Sequence, residues 1–402
     1  MRHLPLSLLF LSTSVLAAPA AVNVDVLQTK LDHPWALAFL PDDGGMLITL
    51  RGGELRHWQA GKGLSDPISG VPKVWAQGQG GLLDVALAPD FASSRRVWLS
   101  YAEAGQDGKA GTAVGFGRLS DDGKQLEQFQ TVFRQQPKLS TGNHFGGRMV
   151  FDGKGYLWIA LGENNQRPTA QDLDKLQGKL VRLTDQGKVP EDNPFAGKQG
   201  ARPEIWSYGI RNPQGMAINP WSQALWLNEH GPRGGDEINV PEKGKNYGWP
   251  IATWGINYSG MKIPEAKGGI VEGTEQPIFY WKESPAVSGM AFYNADAFKQ
   301  WQNKLFIGAL KDKNVIVMSV DGNKVSEDGR ILGDRNHRIR DVRVGPDGYL
   351  YVLTELPDGG CALSGLRDRN HRIRDVRVGP DGYLYVLTDE SNGELWKVSP
   401  AS

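Results

Sequence analysis

Two short segments hold side chains suited to a charged ligand. Gly209-Ile210-Arg211-Asn212-Pro213-Gln214-Gly215 sets a fixed cation beside an amide on a turn. Asn228-Glu229-His230-Gly231-Pro232 ends an apolar strand in a Gly-Pro turn whose carbonyls cannot all enter a ladder. A permanent guanidinium, an amide and spare carbonyl oxygens suit an anionic group held beside a hard metal ion. Upstream, Thr141-Gly142-Asn143-His144-Phe145-Gly146-Gly147 frames a histidine with glycines. Neutral imidazole in such a loop can take a proton from a hydroxyl at working pH. Alone, His144 reads as readily as a structural histidine, and Arg211–Asn212 as a turn-stabilising pair.

Further cations sit near the C-terminus. Arg338 and Arg340 are two apart on a strand, which places them on one face and suits carboxylate binding. Asp334 to Thr354 reads DRNHRIRDVRVGPDGYLYVLT, and Asp368 to Thr388 repeats it letter for letter, an offset of 34 (368 − 334). The second copy therefore offers Arg372 and Arg374 equally well. Divergent repeats do not stay identical, so this reads as a recent tandem duplication or a sequence-assembly error and not as a seventh blade. Only one copy can fill a blade position, and the spare one, with Leu356 to Leu366, is expected to bulge out or to be poorly ordered.

The elements that must position these groups are short strands. A Pro/Asp/Gly turn followed by an apolar strand recurs at Met46–Thr49, Val97–Ser100, Tyr156–Ala160, Leu225–Leu227, Leu305–Gly308 and Tyr349–Leu353. These strands are apolar at consecutive positions, as expected for strands buried on both faces. Blades sandwiched between neighbours produce that pattern, so the reading is an all-β, six-bladed β-propeller over residues 21–402. A pair of β-sandwiches is the alternative, though it would show more alternation. Long glycine-rich connections such as Gly231 to Trp254 would form the site. Ala170 to Leu176 could be one short helix.

Composition narrows the setting. The 402 residues carry 45 Lys+Arg and 45 Asp+Glu, a balance that gives no bias toward nucleic acid or an anionic membrane. Fifty-one glycines and 13 tryptophans favour a turn-rich β chain. Residues 1–20 read as a secretory signal: Arg2, a short apolar run from Leu6 to Leu16, then small residues. That run is too short to span a bilayer, so no membrane insertion is expected, and the mature protein is expected in the periplasm. With Cys361 as the single cysteine, no internal disulfide can form.

Taken in order, these motifs resemble the soluble quinoprotein sugar dehydrogenases, the pyrroloquinoline quinone-dependent aldose dehydrogenase branch. The resemblance runs from Leu31-Asp32-His33-Pro34-Trp35 to the end and includes Asn246-Tyr247-Gly248-Trp249-Pro250 and Ser284-Pro285-Ala286-Val287-Ser288-Gly289. It implies oxidation of the C1 hydroxyl of an aldose sugar to a lactone, with His144 as base and an electron acceptor outside the chain. It implies that Gln79, Arg211, Asn212, Lys311 and the Arg-x-Arg-Asp arginines (Arg338 and Arg340, or Arg372 and Arg374) contact the cofactor. It also implies calcium: one ion on the carbonyls of Gly231 and Pro232, a second on Glu237 and Tyr247 with Asp236 nearby. Taken alone, Lys311 reads as a surface lysine, Gln79 as a turn residue and Asp236-Glu237 as an acidic loop. A calcium-dependent lactone hydrolase or a sugar-binding propeller remains open at this point, since fold does not fix function.

Overall fold

The computed structural model describes residues 22–41, 45–294, 296, 299–333, 338–344, 350–355, 373–378, 384–388 and 393–400, with the backbone path alone from 338 onward. The residues read as a signal segment, together with Cys361 and Arg372, lie outside these.

Five four-stranded antiparallel sheets follow one another in chain order. The first holds Pro34–Phe39, Met46–Leu50, Glu54–Gln59 and Gly63–Leu64. The second holds Leu82–Leu87, Arg96–Ala104, Ala110–Leu119 and Leu126–Arg134. The third holds Gly146–Phe151, Tyr156–Leu161, Lys179–Thr184 and Ile205–Tyr208. The fourth holds Pro213–Ile218, Leu225–Glu229, Asp236–Asn239 and Phe279–Trp281. The fifth holds Val287–Tyr293, Lys304–Ala309, Asn314–Asp321 and Lys324–Ile331. A closing four-stranded sheet joins Ile373–Val378, Leu384–Thr388 and Gly393–Pro400 to the N-terminal strand Val22–Leu31. Between the fifth and the closing sheet lies a two-stranded sheet, Arg338–Val344 with Leu350–Glu355.

First strands of successive sheets pack against one another and return to the first sheet, so the sheets form a closed ring. Radial repetition around the ring leaves each sheet only a short outer edge. The second strands are the turn-led apolar ones, and they are buried as the run of apolar residues requires. Met46–Leu50 and Leu225–Glu229 are buried at every position.

The propeller class therefore agrees with the sequence, but the ring is not a set of equal blades. Five sheets are complete in consecutive strands, the last is composite, and the described strands of the first copy do not bulge out, while Leu356 to Leu366 lie outside the described residues. The first copy packs as a hairpin in the ring. Its register shifts between Ile339 and Asp341. Ala170 to Leu176 is not a helix; a 3-10 turn runs over Arg167–Gln171 instead. Pro168 fixes the start of that turn. No helix among the described residues is long and apolar enough to cross a membrane.

Antiparallel pairing decides where the site lies. The start of each first strand is opposite the end of its second strand: Gly146 faces Leu161, Pro213 faces Glu229 and Val287 faces Ala309. Loops entering first strands and loops leaving second strands thus meet on one side of the ring.

Candidate active site

His144 enters the third sheet in a left-handed conformation, φ 51°, that few non-glycine residues adopt. Its loop is fixed from several sides. Gln79 accepts the His144 backbone N–H on Oε1 at 2.9 Å, and the Gln79 N–H donates to the Gly142 carbonyl at 2.8 Å. Thr141 Oγ1 lies 3.0 Å from the Asn143 and Asn164 carbonyls. Gly162 must be glycine, because a Cβ there would collide with the His144 carbonyl. The imidazole Nδ1 stands 3.2 Å from Glu163 Oε1. Strain held by several partners at one reactive side chain fits a functional loop.

Glu163 was not singled out in the sequence, yet it joins His144 to Arg211. It is fully buried, its N–H donates to the Arg211 carbonyl at 2.9 Å, and its second oxygen has no hydrogen-bond partner. The available signal was its place, two residues beyond the end of the buried strand Tyr156–Leu161.

Arg211 is also buried. Its N–H donates to Glu229 Oε2 at 2.5 Å, and Nη1 donates to the carbonyls of His230 and Gly231 at 3.1 and 2.9 Å. The guanidinium carbon lies 5.2 Å from the Trp249 ring centroid. Nε is buried without a partner. Gly209 supplies the turn ahead of it at φ 75°, against the Asn246 side chain. Asn212 accepts the His230 N–H on its carbonyl and the Gln214 amide on Oδ1.

The Gly231 turn is held from the other side by Asp236. Its Oδ1 accepts the Gly231 N–H at 3.0 Å and the Ser284 hydroxyl at 2.5 Å, while Oδ2 accepts the Val287 N–H at 2.8 Å. Lys311 Nζ donates to the Ser284 carbonyl at 3.1 Å. Gln79, His144, Glu163, Arg211, Gly231, Asp236, Ser284 and Lys311 thus form one connected hydrogen-bond network across the second to fifth sheets. Asp236→Asn replaces one of the acceptor oxygens with a donor facing a donor. Such a buried mismatch is expected to cost about 1–3 kcal/mol, read by denaturant unfolding. An unchanged unfolding midpoint would show that the carboxylate does not hold the turn.

Acidic groups beside this network are poor in counter-charge. Burial pushes the Glu229 carboxyl up to about 7, against the pull of the Arg211 and Asn212 N–H groups. Burial and the charge of Glu229 push Glu237 well above the usual carboxylate range. Burial likewise raises Asp236 to about 6. Glu237 Oε1 accepts from Asn239 at 3.2 Å. The Tyr247 hydroxyl donates to the Val240 carbonyl and accepts the Glu242 N–H. Among the described residues, no three His, Cys, Asp or Glu side chains converge as a metal cluster. Of the two alternative arginine pairs that the sequence offered the cofactor, the backbone of Arg338, Arg340 and Arg374 is described as strand, while Arg372 lies outside the described residues.

A closed ring of antiparallel sheets, with a histidine, a buried carboxylate and a buried arginine joined on one side, defines a β-propeller with an enzyme-like centre. The chain belongs to the glucose/sorbosone dehydrogenase family, whose model matches residues 31–363 and again 361–397. It is 81% identical over 352 residues to the aldose sugar dehydrogenase YliI of Escherichia coli K12, covering 88% of this chain and 95% of that protein. The crystal structure of the apo-form of soluble aldose sugar dehydrogenase from Escherichia coli superposes with a TM-score of 0.84 at 75% identity, over 95% of this chain and all of that one. The pyrroloquinoline quinone-bound aldose sugar dehydrogenase of Streptomyces coelicolor superposes with a TM-score of 0.67 at 27% identity, over 95% and 100% of the two chains.

Proposed function

We propose that this chain is a pyrroloquinoline quinone-dependent aldose sugar dehydrogenase that oxidises the C1 hydroxyl of aldoses to lactones. The observation that carries the reading is the connected network from Gln79 to Lys311, which gathers residues from four sheets around one base and one buried cation. Its membership of the family and its identity to the Escherichia coli enzyme support the same activity.

The residues fit the cofactor. Arg211 keeps a buried N–H without a partner, a costly arrangement unless an anion completes it. Arg211, Asn212, Lys311 and an arginine of the Arg-x-Arg-Asp segment would hold its carboxylates and quinone oxygens, with Gln79 supporting the base loop beside it. The raised carboxyls of Glu229 and Glu237 and the carbonyls of Gly231, Pro232 and Tyr247 form an oxygen-rich setting that suits calcium. When bound, the quinone supplies a two-electron acceptor for the hydride leaving C1.

His144 does the proton work. With Nδ1 turned to Glu163, Nε2 is the ring nitrogen that receives the C1 hydroxyl proton. Glu163 fixes the ring and stabilises the imidazolium that results. Arg211, already oriented by two carbonyls and Trp249, offers fixed positive charge where negative charge develops. Loss of one proton to His144 and one hydride from C1 leaves the lactone. The functional ring has six blades, and residues 1–20 direct the protein to the periplasm.

The test is dye reduction by purified protein across a panel of aldoses. Activity is expected only after both pyrroloquinoline quinone and calcium are added. Protein that binds the quinone yet oxidises no aldose would point to a binding propeller instead.

A further inference from the structure

Lys179 is fully buried at the start of the strand Lys179–Thr184, with Leu161 and Tyr208 opposite it in the ladder. Burying an ammonium is costly unless its donors are satisfied. Here Nζ donates to the carbonyls of Thr169, Ala170 and Gln177 at 3.0, 3.1 and 2.6 Å. An ammonium has three N–H donors, and these carbonyls take all of them. We infer that Lys179 is a positioning residue for the cofactor site, its ammonium locking the turn Arg167–Gln171 and, through that turn, the Arg211 guanidinium and the Trp249 ring. This role rests on the quinoprotein reading above and adds to the site a charge outside the network from Gln79 to Lys311.

Two routes lead from the ammonium to Arg211. The first runs through Ala170, whose carbonyl also accepts the Gly209 N–H at 3.0 Å, two residues ahead of Arg211. Beside it, the Gly178 carbonyl accepts the Ile210 N–H at 3.2 Å. Gly178 has φ 67°, and a Cβ there would collide with the Ile210 carbonyl and with Ala170. The second route runs through Gln171, the last residue of the turn. Its amide donates to the Trp249 carbonyl at 2.7 Å and exchanges hydrogen bonds with the Asn246 amide at 3.0 and 2.8 Å. Trp249 donates its N–H to the Gly209 carbonyl at 2.9 Å, and its ring carries the Arg211 guanidinium. The turn thus fixes both what precedes Arg211 in the chain and what lies under its side chain.

The proton on Lys179 decides whether the lock holds. A neutral amine has two N–H donors and a lone pair, so its loss sets that lone pair against one of the three carbonyls. Burial pushes Lys179 down to about 7, against the pull of Asp172 and Asp174 and with the repulsion of Lys175. Both of those aspartates are paired with Lys175, and Arg167 on the same turn is paired with Glu265. Of the two ladder neighbours, Tyr208 is the titratable one. Because the folded value lies below the ordinary lysine value, the unfolded chain binds more protons between the two, and this group makes the fold more stable as pH rises from about 7. The site changes the other way, since quinone affinity falls as the lock is lost over the same rise. A lysine that only filled space would give no such opposition.

The full chain, Lys179→Met and Gln171→Ala would be titrated with pyrroloquinoline quinone in calcium between pH 6 and 8.5, read as quenching of tryptophan fluorescence. His144, Glu229, Asp236 and Glu237 are present in all three, so the ratio of affinities isolates the lysine. At pH 6, Lys179→Met is expected to bind about tenfold or more weakly than the parent, the usual loss of a hydrogen bond from a charged group. At pH 8.5 that ratio is expected to shrink to about threefold or less, because the parent amine is then mostly neutral. Gln171→Ala keeps the ammonium and cuts the route to Trp249, so it is expected to bind more weakly at every pH while keeping the parent's pH dependence. Parent-like binding by Lys179→Met at pH 6, parent-like binding by Gln171→Ala, or a ratio that does not shrink as pH rises would each overturn the role. The methionine variant is expected to fold, because the Thr169 and Ala170 carbonyls keep the Asp172 and Gly209 N–H groups. If it does not, Lys179→Gln, an amide with two N–H donors, replaces it with the same expectation. Hydrogen exchange on the quinone-free proteins reads the lock directly: the Lys179 variant is expected to exchange faster at Gly209 and Ile210, with the strand Pro34–Phe39 unchanged. Unaltered exchange at Gly209 would overturn the role. A parent chain that binds no quinone at any pH would instead overturn the functional reading, and the exchange at Gly209 would still decide whether Lys179 locks the turn.

Discussion

Replacing His144 with alanine is expected to lower kcat by about 10²–10⁴ while leaving quinone binding close to unchanged, because general-base catalysis contributes that range. Binding is spared because the loop is held through its backbone: Gln79 accepts the His144 N–H, not a ring atom. The partner substitution Glu163→Gln sharpens the point. A carboxylate facing Nδ1 requires the proton there and leaves Nε2 as acceptor; an amide can donate to Nδ1 and favour the wrong tautomer. It also withdraws the charge that stabilises the imidazolium. Glu163→Gln is therefore expected to lower kcat by about tenfold or more with little change in KM, a smaller effect than loss of the base itself. Stopped-flow single turnover with the quinone preloaded separates the chemical step from cofactor binding. A His144→Ala protein that keeps most of its single-turnover rate would remove the base from the mechanism.

How far the sequence carried this site follows from what each residue does. The second strands were legible because burial on both faces writes a continuous apolar run, as at positions 225–227 and 305–308. Once those strands are placed, antiparallel pairing puts the entering and leaving loops on one side, so His144, Arg211 and Lys311 had to meet. Glu163 was not legible: Gly162-Glu163-Asn164 looks like an ordinary turn, and its partner His144 is 19 residues away. Asp236 was read only as lying near a calcium site, and its part in holding the Gly231 turn, through Ser284 and Val287 as well, was not legible. The short helix expected at Ala170 to Leu176 failed because the backbone there serves the site. The Ala170 carbonyl accepts both the Gly209 N–H and the buried Lys179 ammonium, at 3.0 and 3.1 Å, which a continuing helix would not permit. The hairpin inserted in the ring could not be foreseen from local pattern, since two identical segments carry identical propensities and differ only in what pairs with them.

Substituting Arg211 with methionine is expected to be the more damaging change for cofactor binding. Methionine has similar length and fills the space over Trp249, so the loss isolates the charge and its hydrogen bonds. Two carbonyls, of His230 and Gly231, lose their shared donor, and Glu229 loses the cation that favours its ionised form. Breaking a buried charged group of this kind costs about 2–5 kcal/mol. Part of that cost falls on the empty protein and part on the quinone complex, and the two can be separated. Thermal unfolding without cofactor reads the first, and quinone titration reads the second. Arg211→Lys keeps the charge but not the fork: one ammonium cannot reach both carbonyls, stack on Trp249 and still present a free N–H as Arg211 Nε does. The lysine variant is therefore expected to recover stability in part and quinone binding hardly at all. If lysine restored both equally, the guanidinium would be acting as a point charge, and the unpartnered Nε would lose its place as the group that completes the cofactor site.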